Sequence, residues 1–164
     1  MEPTTLKGCQ GQAKDAATRA VAWAEAADRF AHNAPVAKRF AKEAARAARP
    51  ALEAASIAAT IATNAQHRPR EEAHNAQAQA ARVQEWADTA THAATHAQRS
   101  ADVARPFTPA TGDLADLEHA RQAAYYAWVT CPDAEGSARL AVLRAQVEEA
   151  EAAVQAALLL PALA

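Results

Sequence analysis

Glycine is scarce in this sequence, with four residues in 164. A phosphate-binding loop needs glycines grouped together, because only glycine lets the backbone approach a phosphate closely and adopt a positive φ. The sequence also contains no Gly-x-Ser-x-Gly and no His-Glu-x-x-His motif. These absences exclude the P-loop, serine-hydrolase and zinc-protease motifs from the chain.

Cysteine and long apolar runs are also scarce. The two cysteines, Cys9 and Cys131, form no Cys-x-x-Cys pair, which excludes a disulfide framework and a zinc ribbon. No stretch reaches 18 apolar residues, so no membrane span is predicted. The first residues lack the charged-then-apolar pattern of a signal peptide. We therefore expect a cytoplasmic protein.

Alanine takes the place of the missing residue types, with 52 residues, close to a third of the chain. Aromatic residues make up 5% of the sequence, and β-branched residues are sparse. Alanine has the highest intrinsic helix propensity, whereas strands favour β-branched and aromatic side chains. The composition predicts an all-α fold.

Charge is nearly balanced overall, at −2, but differs along the chain. Residues 1–70 carry 11 Lys and Arg against 6 Asp and Glu, and residues 71–164 carry 6 against 13. This asymmetry is compatible with packing of one half on the other, with head-to-tail assembly, or with a basic face for an acidic partner. Without interleaved aromatics or a nucleic-acid motif, a nucleic-acid partner is not expected.

Proline divides the chain into predicted helices, because it cannot donate a helix hydrogen bond and clashes one turn back. Residues 1–11 are predicted to be a disordered lead-in, and 12–164 a single helical-bundle domain. The loop at 105–112 separates helices 1–3 from helices 4–5. The predicted helices cover 12–32, 35–66, 69–104, 113–130 and 133–160.

Two interpretations of residues 12–66 remain open at this point. The segment forms either one long helix kinked at Pro35 and Pro50, or two helices separated near Asn33. A break at 33–35 is favoured because a residue before proline avoids the helical region, and Asn33 is a suitable cap. Pro50 is interpreted as a kink or as the first turn of a new helix.

Apolar residues recur at alternating steps of four and three, the seven-residue repeat of packed helices. The first stripe contains fifteen apolar positions from Ala16 to Ala65, and the second runs from Ala73 to Ala104. The third stripe runs from Leu140 to Ala157. In the fourth predicted helix, the packing residues are Leu114, Leu117, Ala120, Ala124 and Trp128.

Alanine stripes predict helices packed unusually close together, with axes about 8 Å apart. We expect an elongated antiparallel bundle of about five helices with coiled-coil-like alanine stripes. Because a long helix cannot bury its whole apolar stripe alone, a leftover stripe predicts an oligomer, with a dimer as the simplest form.

Three groups of residues are candidates for binding a protein partner. The adjacent Tyr125 and Tyr126 cannot both face one core, and tyrosine is enriched at interfaces. Successive leucines near the C-terminus cover every side of a helix turn, so at least one needs another segment or chain to bury it. The candidates are Tyr125, Tyr126, Trp128, Leu158, Leu159, Leu160, and a basic ridge of Lys38, Lys42, Arg46 and Arg49.

Histidines and glutamates suggest an alternative, a transition-metal site in the bundle. His92 and His96 stand four residues apart, and Glu71 with His74 has the Glu-x-x-His spacing of di-iron bundles. Only one such motif is visible, where a di-iron site needs two. The candidate ligands are Glu71, His74, His92, His96, Glu118 and His119.

The sequence favours a non-enzymatic bundle that binds another protein or its own copies, as a scaffold, adaptor or immunity-type partner, without a cofactor. Fragments such as Trp-Ala, Arg-Pro-Arg-Glu and His-x-x-x-His resemble those of alanine-rich bacterial immunity proteins. A metal-binding bundle is the alternative. A bundle that binds a small molecule among Trp23, Trp86 and Trp128 is a second alternative.

Overall fold

The computed structural model describes residues 4–106, 112–130 and 137–163. Within these ranges the chain forms α-helices and no strand, so the all-α prediction is confirmed. The chain divides into two compact units, residues 1–106 and 107–164, and the division falls inside the predicted loop. The prediction of a single domain over 12–164 stays a prediction. The helices are α1 (Leu6–Arg29), α2 (Ala34–Asn64), α3 (Arg70–Asp102), α4 (Gly112–Thr130) and α5 (Ser137–Leu163).

Helix α1 begins six residues earlier than predicted. Thr5 adopts an extended backbone, and its hydroxyl accepts a hydrogen bond from the backbone N–H of Gly8 at 3.0 Å. This cap satisfies one of the free donors at the helix start. Cys9 is already fully buried, and burial raises the pKa of its thiol. The prediction of a disordered lead-in is therefore wrong for residues 6–11.

The first two helices are separate, as favoured from the sequence. α1 ends at Arg29 and α2 begins at Ala34, with Pro35 in the first turn. The Asn33 side chain makes no capping hydrogen bond, so its predicted role as a side-chain cap is wrong. Pro50 lies inside α2, which continues through it to Asn64.

Helices α1, α2 and α3 pack against one another as a three-helix bundle. Backbone hydrogen bonds of 2.8 Å join the α1–α2 turn to the end of α3, from Ala34 N–H to the Arg105 carbonyl and from Arg105 N–H to the Ala31 carbonyl. The C-terminal ends of α1 and α3 therefore meet, and these two helices run parallel while α2 runs against them.

The alanine stripes face the interior of this first unit. Fourteen of the fifteen positions in the first stripe are buried, and Ala34 is half-buried. Trp23, Phe30 and Phe40 supply the large side chains at one level of the core, with ring centroids 5.4 Å apart for Trp23–Phe40 and 5.3 Å for Phe30–Phe40. The core therefore combines one aromatic layer with long stretches of alanine.

The second unit is a hairpin of α4 and α5. Only six residues connect the two helices. A parallel arrangement would require the connection to run back along the roughly 28 Å of α4, which six residues cannot span, so the helices are antiparallel. The buried residues of α4 do not follow the predicted stripe. They are Leu114, Glu118, Arg121, Tyr125 and Val129, whereas Leu117, Ala124 and Trp128 are half-buried and Ala120 is exposed.

A charged pair explains this difference. The side chains of Glu118 and Arg121 are 2% and 4% exposed, and Arg121 Nε lies 3.9 Å from Glu118 Oε2. The Tyr125 hydroxyl donates a hydrogen bond to Glu151 of α5. Partnered charges can occupy an interior position that an apolar pattern assigns to alanine or leucine.

The alanine stripe makes a sharp prediction for neighbouring positions in α2. Ala58 is fully buried, while Ala59 is exposed. Ala58→Leu forces added methylenes between close helices and should lower the free energy of unfolding by about 1–3 kcal/mol, whereas Ala59→Leu should change it by less than about 0.5 kcal/mol. Urea unfolding followed by circular dichroism measures both. Equal effects would show that helix spacing at Ala58 is not constrained.

The buried charged pair in α4 makes a second prediction. Arg121→Met leaves Glu118 with a buried charge and should cost about 3–5 kcal/mol of unfolding free energy. Arg144→Met is the control, because Arg144 Nε and Glu148 Oε1, 3.7 Å apart, belong to side chains that are 73% and 71% exposed. That exposed pair should contribute less than about 1 kcal/mol. Both variants are compared by urea unfolding at one protein concentration, and similar losses would argue against the burial of the pair.

Candidate protein-binding surfaces

One face of the α4–α5 hairpin is an open groove of about 530 Å³. Its walls are largely alanine, with one leucine and two polar residues. The lining residues are Leu117, Ala120, Ala123, Ala124 and Ala127 of α4, and Gln146, Glu149, Ala150 and Ala153 of α5. Three residues that were predicted to pack α4 into the core, Leu117, Ala120 and Ala124, line this open groove instead.

The groove follows the spacing of a helix-packing surface on both helices. Leu117, Ala120, Ala124 and Ala127 are separated by steps of three, four and three, and Gln146, Ala150 and Ala153 by four and three. Each helix of the hairpin therefore carries two stripes, one buried between α4 and α5 and one facing outward. The outward stripe has the small side chains that allow a further helix to approach closely.

The aromatic candidates differ in how far the structure buries them. Tyr125 is buried, and its ring packs edge-on to Trp128 with centroids 6.3 Å apart. Tyr126 is 48% exposed, as expected for one of two adjacent tyrosines, and does not line the groove. Of the three predicted contact residues, Tyr126 offers an exposed ring, Trp128 a half-buried one, and Tyr125 stabilises the hairpin.

The C-terminal leucines stand apart from these aromatics. Leu158 follows Val147, Glu151 and Val154 in steps of four, three and four, yet it is 47% exposed, and Leu159 is 60% exposed. Since Tyr125 bonds Glu151, Leu158 lies seven residues, or about 10 Å, further along α5. The Leu160 side chain lies outside the described residues. No helix in the described ranges is long and apolar enough to cross a bilayer.

The basic ridge of Lys38, Lys42, Arg46 and Arg49 is exposed along α2. Arg46 donates a hydrogen bond to Glu43 at 3.0 Å, one turn away. The structure therefore places all four predicted cations on the outside of the first unit, with one of them paired.

A second groove, of about 660 Å³, runs between α1 and α3 in the first unit. Its floor is apolar and its walls carry carboxylates and histidines. The lining residues are Val21, Ala24, Glu25 and Asp28 of α1, and Glu85, Asp88, Thr89, His92, Ala93 and His96 of α3. We call this surface the acidic groove, because none of its ten lining residues is lysine or arginine.

Hydrogen bonds fix several side chains of the acidic groove. Asp28 accepts a bond from the Ser100 hydroxyl at 3.3 Å, and its carboxylate lies 4.0 Å from His96 Nε2. His92 Nδ1 lies 2.7 Å from the Asp88 carbonyl, and Gln84 donates to the Asp88 carboxylate at 2.9 Å. The contact between Asp28 and Ser100 also sets the register of α1 against α3.

The predicted metal ligands do not come together as one site. Glu71 and His74 are exposed at the start of α3, and His92 lies 18 residues after His74, or roughly 27 Å along the helix. Glu118 and His119 belong to the second unit, where Glu118 is paired with Arg121 and His119 is exposed. Among the described residues, no three His, Cys, Asp or Glu side chains are grouped to hold a metal ion.

The predicted tryptophan pocket has no counterpart in either groove. Trp23 is buried in the aromatic layer of the first unit, Trp86 is half-buried on α3, and Trp128 belongs to the second unit. Neither groove is lined by a tryptophan.

The carboxylates of the acidic groove were not predicted as a site. Glu25 with Asp28, and Glu85 with Asp88, are acidic pairs three residues apart, a spacing visible in the sequence. Such pairs usually mark a solvated helix face. Their convergence depends on α1 and α3 running side by side in parallel, which the sequence pattern does not specify.

Comparisons of this chain with protein-family models, curated proteins and solved structures gave no match. Its role is therefore inferred from its own surfaces.

Proposed function

We propose that this chain is a non-enzymatic helical protein that works by protein–protein association, and that a second copy of the chain is its partner through the α4–α5 groove. The observation that supports the proposal is the outward alanine stripe shared by both helices of the hairpin. A hairpin of two helices buries one stripe and leaves the other for a further helix. Two hairpins packed groove to groove would form a four-helix bundle.

The size of the groove face is compatible with a specific dimer. α4 has 19 residues and is about 28 Å long, and two close-packed helices present a face about 20 Å wide. Contact over such a face buries roughly 500 Å² on each copy, or about 1,000 Å² in total, near the lower bound of specific interfaces. A twofold arrangement lets the same residues meet their own counterparts.

Charge gives this dimer a recognisable salt dependence. Residues 107–164 contain three Arg and eight Asp and Glu, a net charge of −5. Two such hairpins repel each other, and dissolved salt screens the repulsion. Apolar contact between the grooves is therefore expected to hold or strengthen as salt rises.

The exposed Tyr126, Leu158 and Leu159 lie outside the groove and remain proposed contacts for a different protein, in a scaffold, adaptor or immunity-type role. Such a role suits the cytoplasm, where thiols such as the free Cys9 stay reduced.

The test uses adjacent alanines of α5. Ala153 lines the groove, whereas Ala152 is exposed and does not. Ala153→Arg places a long, charged side chain between the closely packed alanines of the proposed interface and should weaken the dimer by about a hundredfold or more, while Ala152→Arg, with the same added charge, should leave it unchanged. Sedimentation equilibrium of the full chain, over a range of protein concentrations, gives both dissociation constants.

At about 0.5 M sodium chloride, where the hairpin contact is expected to hold, the wild-type chain should sediment at twice its monomer mass. A monomer at every concentration would overturn self-association through the hairpin. A dimer that Ala152→Arg weakens as strongly as Ala153→Arg would move the interface away from the groove.

A further inference from the structure

The acidic groove of the first unit and the basic ridge of α2 play no part in the hairpin contact. Both belong to the same three-helix bundle, and they lie on different sides of it. The groove is formed by α1 and α3, while the ridge is on the exposed side of α2. A surface and its electrostatic complement on different sides of one body cannot meet within that body, but they can meet between two copies.

The charges of the two surfaces are opposite in sign. Four carboxylates line the groove, and four cations form the ridge. Arg46 is already bonded to Glu43, so Lys38, Lys42 and Arg49 supply the remaining positive charge. Complementary potentials favour association and reject like-charged partners.

The charges are also distributed over similar lengths. On α3, Glu85 and Asp88 lie at one end of the groove. The bond between Ser100 and Asp28 places the α1 carboxylates at the other end, near His96. From Glu85 to His96 the groove extends eleven residues, about 16 Å, and Lys38 to Arg49 covers the same number on α2.

Small side chains on both surfaces permit close approach. Ala24 and Ala93 are buried in the floor of the groove, and Val21 is half-buried. On α2, the exposed residues Ala45 and Leu52 continue the four–three spacing of Lys38, Lys42 and Arg49. The ridge is thus a second helix-packing stripe with an apolar component, in which Leu52 is 49% exposed.

We propose that the acidic groove of one copy binds the α2 ridge of a second copy, so that the first units associate head to tail. The contact uses different surfaces on the two partners, and each new copy presents a free groove and a free ridge. Such a contact produces an open chain or a closed ring. Its strength falls as salt rises, opposite to the expected behaviour of the hairpin contact.

The experiment uses the full chain carrying Ala153→Arg, which removes the hairpin contact from the measurement. In this background, one variant reverses the charge of two groove residues with Glu85→Lys and Asp88→Lys. A second variant reverses the charge of two ridge residues with Lys38→Glu and Lys42→Glu. Sedimentation velocity at about 0.05 M and about 0.5 M sodium chloride measures association, because the Debye length falls from roughly 14 Å to roughly 4 Å.

The parent should associate at low salt, with an association constant at least about tenfold lower at high salt. Each variant alone should be monomeric, because two substitutions bring the net charge of its groove or of its ridge from four to zero. An equal mixture of the two should associate again, since the unaltered ridge of the groove variant can then bind the unaltered groove of the ridge variant. Recovery in the mixture identifies the occupant as another copy of this chain.

A control variant tests whether the position of the substitutions matters, or only the change in the net charge of the chain. Glu71→Lys with Glu72→Lys changes the net charge by the same amount as the groove variant, at exposed positions of α3 outside the groove. This variant should associate like the parent, and circular dichroism should show equal helicity for all variants.

Three outcomes would overturn the proposal: a monomeric parent at low salt, association that survives either reversal, or a mixture that stays monomeric. The last two would assign the groove or the ridge to a different partner. None depends on the hairpin dimer, which is measured separately by comparing Ala153→Arg with the wild-type chain.

Discussion

The distance between helix axes is the constraint on which this structure depends. Alanine stripes allow α1, α2 and α3 to lie close together, and each alanine contributes little buried area. Stability then requires long helices, and α2 and α3 have 31 and 33 residues. The aromatic layer of Trp23, Phe30 and Phe40 is the place where larger side chains fill the core. Both candidate binding surfaces are grooves between neighbouring helices.

The helices of the first unit were predictable because a local rule governs them. Alanine propensity, proline positions and the four–three repeat all depend on residues near in sequence, and fourteen of fifteen stripe positions are buried. The start of α1 is hard to predict because Gly8 and Gly11 have low helix propensity, although Thr5 is a suitable cap. Pro50 was ambiguous because a proline inside a helix and one at a helix start look alike in sequence.

The surfaces were less predictable because they depend on contacts between distant residues. Apolar spacing assigned Leu117, Ala120 and Ala124 to the core, yet Glu118 and Arg121 occupy the interior as a charged pair. The acidic groove arises from residues such as Asp28 and Ser100, 72 positions apart in sequence. Adjacent residues on one helix point in directions about 100° apart, so the sequence predicts that one of the two tyrosines is exposed, but the packing of α4 on α5 decides that it is Tyr126.

The alanine core also has a thermodynamic consequence. An alanine side chain has no rotamers to lose, so burying it carries no side-chain entropy cost, unlike leucine or methionine. It also exposes little apolar surface on unfolding, and the heat-capacity change of unfolding scales with that surface. A core built from alanine over most of its length therefore gives a small heat-capacity change and a flat stability curve. The first unit should lose stability gradually on warming and on cooling alike, over a wider temperature range than a leucine-cored bundle of the same length.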